Sequence, residues 1–366
     1  MSFDFPNAPS EGTTFAPTGG PVYVYTGGVW RMQGSGQVVT AEARNRVVNP
    51  AMQISQEWGN TLLGPSTALA TYVTDQWQGV SSTSPGQVSQ QRVQVVTPNG
   101  SQNRIRMIVT TAKAALAAGD YLSLYQPVEG IRVADFRWGT ANAKQVVLRF
   151  GFKGPAGTYT ASIRNGVATR TYPVNFTISA GQANLDTEQV FVIPGDTAGT
   201  WVTDTASGLI VTINLAAGTS SQGVAGVWQA GNFTSTAAAS NGLATLNNTF
   251  ELFDVGLYLD PNATGTPPPW QMPDEAQELA ACQRYFYAQV GSGWIPPYYN
   301  NFVGRGISAR HPVVMRIAPA MTGTGAAAAG GTYGISASVE MVSYAATLNQ
   351  PADGVSFSNI KANARM

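Results

Sequence analysis

The side chains that could do chemistry are few and scattered. Among 366 residues there is one histidine, His311, and one cysteine, Cys282. A single histidine excludes multi-histidine zinc sites, and a single cysteine excludes an intrachain disulfide or a cysteine-rich metal site. His311 precedes Pro312 with no nucleophile motif arranged around it, so a structural role is expected. Cys282 lies on the apolar stripe of a helical segment and is expected to be buried and inert. Asp186 with Glu188, and Asp196 with Asp204, fall in loops where a calcium ion could sit between carboxylates and carbonyls. Their spacing matches no dedicated calcium loop, and aspartates favour turns for backbone reasons, so solvated turns are expected. A glycosidase needs two acids facing each other about 5 to 10 Å apart, and the sequence marks out no such pair. No catalytic residue, metal or cofactor is expected, and the chain reads as a non-enzyme.

Binding by stacking fits the residues better. A sugar ring carries an apolar C–H face that lies on Trp or Tyr, while nearby Asn, Asp, Gln and Arg bond its hydroxyls. Eight tryptophans and fourteen tyrosines supply candidates. Trp138 and Trp201 sit beside turns, Trp228 lies in a Gly-rich segment, and Trp294 lies in the aromatic stretch 291–310. That stretch also holds Tyr298, Tyr299 and Asn300, the first choice for an exposed recognition loop. Core or inter-subunit packing is the competing reading for each of these residues. At the N-terminus, Tyr23, Tyr25, Trp30 and Arg31 belong to a short hairpin, either a flap on its own domain or a docking piece for a larger assembly.

The elements that must position these residues are mostly strands. Charged residues make up 11% of the chain, against about 25% in ordinary soluble domains. Lys+Arg and Asp+Glu both total 20, so nothing favours nucleic acid or an anionic membrane. No secretory leader is expected after Met1, and the apolar runs are too short to span a bilayer. From Arg104 to Pro261 apolar and polar residues alternate in runs separated by turn residues such as Asn165-Gly166 and Pro194-Gly195-Asp196. Examples are Val146, Leu148, Phe150 and Phe152, or Leu209, Val211, Ile213 and Leu215. Val47, Val48, Met52 and Ile54 read as an entering strand; Tyr72, Val73 and Trp77 begin the next layer. One segment, Asp274 to Ala288, asks for a helix: Asp274 caps it, and Ala276, Leu279, Cys282 or Gln283, and Phe286 form its stripe. After it, strands are expected at Val313–Ile317, along Ile335, Ala337, Val339 and Met341, and in FSNIKANARM, with AAAAGGTYG as a connector. About three or four strands are too few for a core of their own, so this tail should pack on the helix, the sandwich or a neighbouring chain. The expected fold is all-β: an antiparallel jelly-roll β-sandwich with a short N-terminal hairpin module, one helix and a small C-terminal β unit. The boundaries fall at 1–45, 46–265 and 266–366.

Several blocks resemble a family of phage virion proteins. NRVVNPAMQISQEWG near residue 45 is similar to that family's opening block, and Asp75-Gln76-Trp77 stands where those proteins carry a DRW-like segment. DFRWGTANAKQVVLRFGFKGPAGTYTASIRNG and EQVFVIPGDTAGTWVTDTASGLIVTINLAAG resemble its middle strands. FELFDVGLYLDP, ELAACQRYFYAQ and HPVVMRIAPAM follow in the family's order, with Asp260 where a glutamate is usual. The resemblance implies a tail-fibre or tail-appendage structural protein with a carbohydrate-binding-like jelly roll, in the virion and made in the host cytoplasm. It implies a homotrimer, contacts with other virion or tail proteins, and a host-surface polysaccharide as ligand. Nucleic acid and membrane insertion are not expected. Tyr23, Tyr25, Trp30 and Arg31 would then dock on the particle. The alternatives are a purely structural head-decoration or collar fibre, and a polysaccharide depolymerase spike.

Overall fold

Branched and aromatic residues alternating with polar ones give each strand one apolar face, and two such sheets must close on each other. The computed structural model describes residues 5–17, 22–32, 41–289, 293–295, 305–327, 332–347 and 355–366. Two antiparallel sheets dominate it. The six-stranded sheet runs Thr187–Ile193, Val146–Lys153, Thr249–Leu259, Arg104–Thr111, Gln87–Val93, Leu63–Ser66. The seven-stranded sheet runs Gln229–Ala230, Arg170–Ile178, Gly157–Asn165, Ser207–Ala217, Tyr121–Glu129, Trp77–Ser82, Ala70–Thr74. One core lies between them, with Trp77, Phe150, Phe152, Tyr159, Ile163, Val211 and Phe250 in a single cluster. This is the expected jelly-roll sandwich.

The expected strand through Val47, Val48, Met52 and Ile54 does not form. All four residues are buried, but the chain turns, with Asn49 at φ 53° and Met52 at φ 55°. Asn49 holds the turn: its Nδ2 donates to Ile54 O at 2.7 Å and Asp75 O at 2.9 Å, and its Oδ1 accepts from Ile54 N at 3.0 Å. Asparagine tolerates the left-handed region because its short side chain bonds locally.

The helix is shorter than the pattern suggests, Glu275–Gln283. Asp274 caps it, accepting from Gln277 N at 2.9 Å. Ala276 is exposed, Leu279 half-buried and Cys282 buried. Beyond it Phe286–Gln289 is a strand, paired with Ile360–Asn363. Arg284 and Tyr285 explain the stop. Both reach Glu129, through Nη2 at 2.6 Å, Nε at 2.9 Å and the tyrosine hydroxyl at 3.0 Å. Consecutive residues on a helix face different ways and could not share that target. A second helix, the four-residue Gly130–Val133, and a 3₁₀ turn through Phe136 occupy a stretch expected to be strands alone.

The C-terminal region holds more strands than expected. Seven are described, in two small sheets built on Val355–Asn363 and Met341–Thr347. Residues 313–317 form no strand, and Ile335–Met341 is two paired strands, Thr332–Ala337 and Met341–Thr347, joined through Ser338–Glu340. Both described ends of the expected connector are strand, in Ala320–Ala327 and Thr332–Ala337, and its residues 328–331 lie outside the described residues. Val342, Tyr344, Phe357 and Ile360 give this region its own small core. It is fastened to the sandwich by Tyr72 Oη to Met366 O at 2.7 Å, Arg316 Nη1 to Thr205 O at 2.8 Å, and the Glu129–Arg284 pair.

At the N-terminus Tyr23–Thr26 and Val29–Met32 pair as expected, with Thr14–Phe15 added as a third strand. Trp30 stacks on Phe5 at 5.3 Å and meets Tyr25 at 5.5 Å. Tyr23 meets Phe5 at 4.9 Å, and Arg31 is exposed.

Candidate ligand-binding face

Trp138, Trp201 and Trp228 come together. Their rings meet edge to face at 4.6, 5.2 and 5.5 Å. Each indole N–H donates to a backbone carbonyl, of Lys144, Ala198 and Pro194 respectively. Trp138 is buried and the other two are half-buried against the core, so the cluster closes one end of the sandwich. Trp294 lies in the strand Gly293–Ile295, its backbone paired with Ser356. Tyr298, Tyr299 and Asn300 lie outside the described residues.

The acids expected in solvated turns are mostly ion-paired. Asp186 meets Arg104 at 2.6 Å, and the buried Asp196 meets Arg170 at 2.7 Å. Glu188 pairs with Arg149, while the Asp204 carboxylate accepts from Ala206 N in a turn. The cause is long-range: the arginines come from other strands of the sandwich, distant in sequence. Among the described residues no group of three or more metal-ligating side chains converges. Cys282 is buried, and burial pushes its thiol well above its usual range. His311 is buried, and burial lowers its pKa.

A different site emerges on the outward face of the seven-stranded sheet. Because Ala161, Ile163, Val211, Ile213, Leu122 and Leu124 face the core, Ser162, Arg164, Thr212, Asn214, Ser123 and Tyr125 face outward. Register places them side by side. Ser162 is opposite Thr212, Thr212 opposite Tyr125, and Tyr125 opposite Gln78. In the next row Thr160, Asn214 and Ser123 are neighbours. Gly79 fixes Gln78 on this face: a Cβ at Gly79 would collide with the Gln90 side chain from the other sheet.

Most of these groups are buried, and several have no partner. Ser162 Oγ, Thr212 Oγ1, Asn214 Oδ1, Gln78 Oε1 and Arg164 Nε make no hydrogen bond. Buried polar atoms are ordinarily paired, because each unmade bond costs about 1–3 kcal/mol. Five lie on this face, all closed to solvent, and unpaired buried atoms recur elsewhere, at Arg46, Gln76, Asp254 and Arg365. Two walls bound the face. On one side residues 232–236 fold over the sheet, where Asn232 Oδ1 accepts from Arg164 Nη1 at 3.1 Å and Thr236 Oγ1 donates to Asn175 at 2.8 Å. On the other, Arg365 lies 4.4 Å from the Tyr72 ring. Tyr72, Tyr121 and Tyr125 are half-buried aromatic rings along this face. Burial raises the Tyr72 hydroxyl to about 12 and lifts Tyr125 too, although Arg164 pulls Tyr125 down. Tyr72 and Tyr125 are therefore neutral at neutral pH. Neutral donors and acceptors beside aromatic rings suit a polyhydroxylated ligand.

Reading the sequence for tryptophans missed this face. Its residues are the polar half of ordinary alternating strands, and only the register between strands distant in sequence brings them together.

The fold and this face define the class: a jelly-roll β-sandwich with a polar face on one sheet. No family model and no curated protein matches the chain. Solved structures are similar in fold. One is the enzymatically active domain of bacteriophage CBA120 tailspike protein 4, at 12% identity and TM-score 0.32, covering 59% of this chain and 21% of that one. Another is the family 11 carbohydrate-binding module of a cellulosomal cellulase of Clostridium thermocellum, at 12% identity and TM-score 0.26, covering 54% and 96%. A third is a xylan-binding domain from Paenibacillus barcinonensis, at 11% identity and TM-score 0.26, covering 57% and 99%. The similar part thus spans about a fifth of the tailspike chain.

Proposed function

We propose that this protein is a bacteriophage virion component, a tail fibre or tail appendage, that holds a host-surface glycan on the outward face of its seven-stranded sheet. The half-buried Tyr121, Tyr125 and Gln78 side chains lined up along that face carry the reading. The tyrosine rings would take the C–H faces of a sugar and their hydroxyls would bond its hydroxyls. The protein binds and does not cleave. The ordered sequence blocks shared with phage virion proteins support a place on the particle. A homotrimer fits the low charge and the exposed Val190 and Val192 on the edge strand Thr187–Ile193.

A glycan array probed with the purified protein tests the binding. Specific signals that vanish in Tyr125→Ala, with the melting temperature kept, are expected; signals that survive it would move the site elsewhere. Deleting residues 1–45 should leave a folded oligomer that no longer joins particles. Incorporation of the shortened chain into virions would remove the docking role of Tyr23, Tyr25, Trp30 and Arg31.

A further inference from the structure

An open cleft at one end of the six-stranded sheet has a charge left over. Arg106 and Ile108, Thr249 and Glu251, and Lys153 line it from three adjacent strands. They face outward because Met107, Val109, Phe250, Leu252 and Phe152 beside them face the core. Loop residues Pro155, Asn184, Asn247 and Asn248 complete the lining. The cleft holds about 450 Å³, within the range of about 300–1,000 Å³ usual for ligand pockets. It is open to solvent: Asn184 and Asn247 are exposed, and Arg106, Ile108 and Lys153 are half-buried.

Lys153 stands directly opposite Glu251 in the ladder, where opposite charges ordinarily pair. Here they do not. Arg104 takes one Glu251 oxygen at 3.0 Å and Arg106 the other at 2.6 Å, both from the strand on the far side. Glu188, on the strand at the other side of Lys153, is taken by Arg149. Asp186 is gripped by Arg104 through both oxygens, at 2.6 and 2.7 Å. A guanidinium fork matches a carboxylate as a lysine ammonium cannot, so the arginines win these acids. Lys153 is left with no ion pair among the described residues, and it points its charge into the cleft. The rest of the lining is mostly neutral. Asn184 and Asn247 present exposed amides. Thr249 Oγ1 donates to Asn247 O at 3.1 Å and Asn248 Nδ2 to Gly242 O at 3.0 Å, so their side-chain oxygens can still accept.

We propose that this cleft is a second ligand site, taking a sugar residue that carries one negative charge, with Lys153 as the cation that meets it. The site does not depend on the tyrosine face of the other sheet. One unpaired cation matches one carboxylate or one sulfate ester. A phosphate, at about −1.5 to −2 near neutral pH, would bring charge that nothing here balances. The asparagine amides and the Thr249 hydroxyl would bond the sugar hydroxyls, while Ile108 and Pro155 take a C–H face.

Two measurements test it. Calorimetry compares oligogalacturonate with its carboxyl-reduced counterpart, with a sulfated galactan oligosaccharide and with a glutamate peptide of similar length. A carboxylated or sulfated sugar should bind at least about tenfold more tightly than the neutral one. Lys153→Met should abolish that preference, whereas Lys144→Met, outside the cleft, should keep it. Equal affinity for acidic and neutral sugars, tighter binding of the peptide, or binding to none of them would overturn the inference. The preference should also persist in Tyr125→Ala; its loss there, with Lys153→Met unchanged, would put the acidic sugar on the tyrosine face and overturn the cleft. The second measurement needs no sugar. Lys153→Met should melt as wild type does, because no acid loses a partner, whereas Arg106→Met should melt lower. An equal drop in both would make Lys153 a structural charge and overturn the inference.

Discussion

The outward faces of the two sheets are built on opposite principles. On the six-stranded sheet a charged network is centred on Glu251, although Arg149 Nε and Asp254 Oδ1 on the same sheet make no hydrogen bond. Glu251, 1% exposed, sits between Arg104 at 3.0 Å and Arg106 at 2.6 Å, and Arg104 also grips Asp186 and donates to Val95 and Val96 carbonyls. On the seven-stranded sheet the polar groups are mostly neutral, and several are unsatisfied. A saturated network fixes structure, since its members already have their partners. An unsaturated one gives up stability, while the half-buried tyrosines beside it keep the capacity to bind. The difference separates polar residues that hold this molecule together from those that would hold something else.

Removing the charge at the centre of the saturated face should have the largest effect. Glu251→Leu strips Arg106 of its acid and leaves Arg104 with Asp186 alone, at a cost of about 3–5 kcal/mol in urea unfolding. Glycan binding on the tyrosine face should not change in the folded fraction. A loss near zero would mean the network is ornamental and the contrast is false.

Trp138→Ala comes next. It removes the most buried ring of the tryptophan cluster and should cost about 3–4 kcal/mol. Affinity for a saccharide should stay as it was. Weaker binding at unchanged stability would move the ligand to the sandwich end.

The C-terminal anchor should respond to acid. Burial acts to raise the Glu57 pKa, but Arg365 at 2.6 Å and Lys361 at 3.1 Å hold it below the ordinary glutamate value. Its contribution is therefore complete above about 4.3 and is lost as pH falls through the lower folded value. Glu57→Gln should lower the melting temperature at neutral pH and converge with wild type in stronger acid. A constant gap across the range would assign the anchor to packing.

Thr212→Val should have the smallest effect on folding. The hydroxyl has no partner to lose, so stability should stay within about 1 kcal/mol of wild type or rise. A large loss would mean that Thr212 is bonded within the fold.

The sandwich was legible because two-residue alternation is local: Val146 to Phe152 and Leu209 to Leu215 declare their inward faces without their neighbours. Long-range contacts hid the rest. The helix stops at Gln283 because Glu129, far away in sequence, takes both Arg284 and Tyr285. The turn at 49–54 depends on Asn49 reaching Asp75 O. The outward face of the seven-stranded sheet was hidden most completely. Ser162, Thr212, Tyr125 and Gln78 come from four strands, and each taken alone is an ordinary outward polar residue.

The most direct test is calorimetry of a Tyr121→Ala/Tyr125→Ala double variant against the oligosaccharide that wild type prefers on an array. A folded variant with affinity reduced at least about tenfold is the expected result. Unchanged affinity in a folded variant would contradict the assignment of this face to ligand binding.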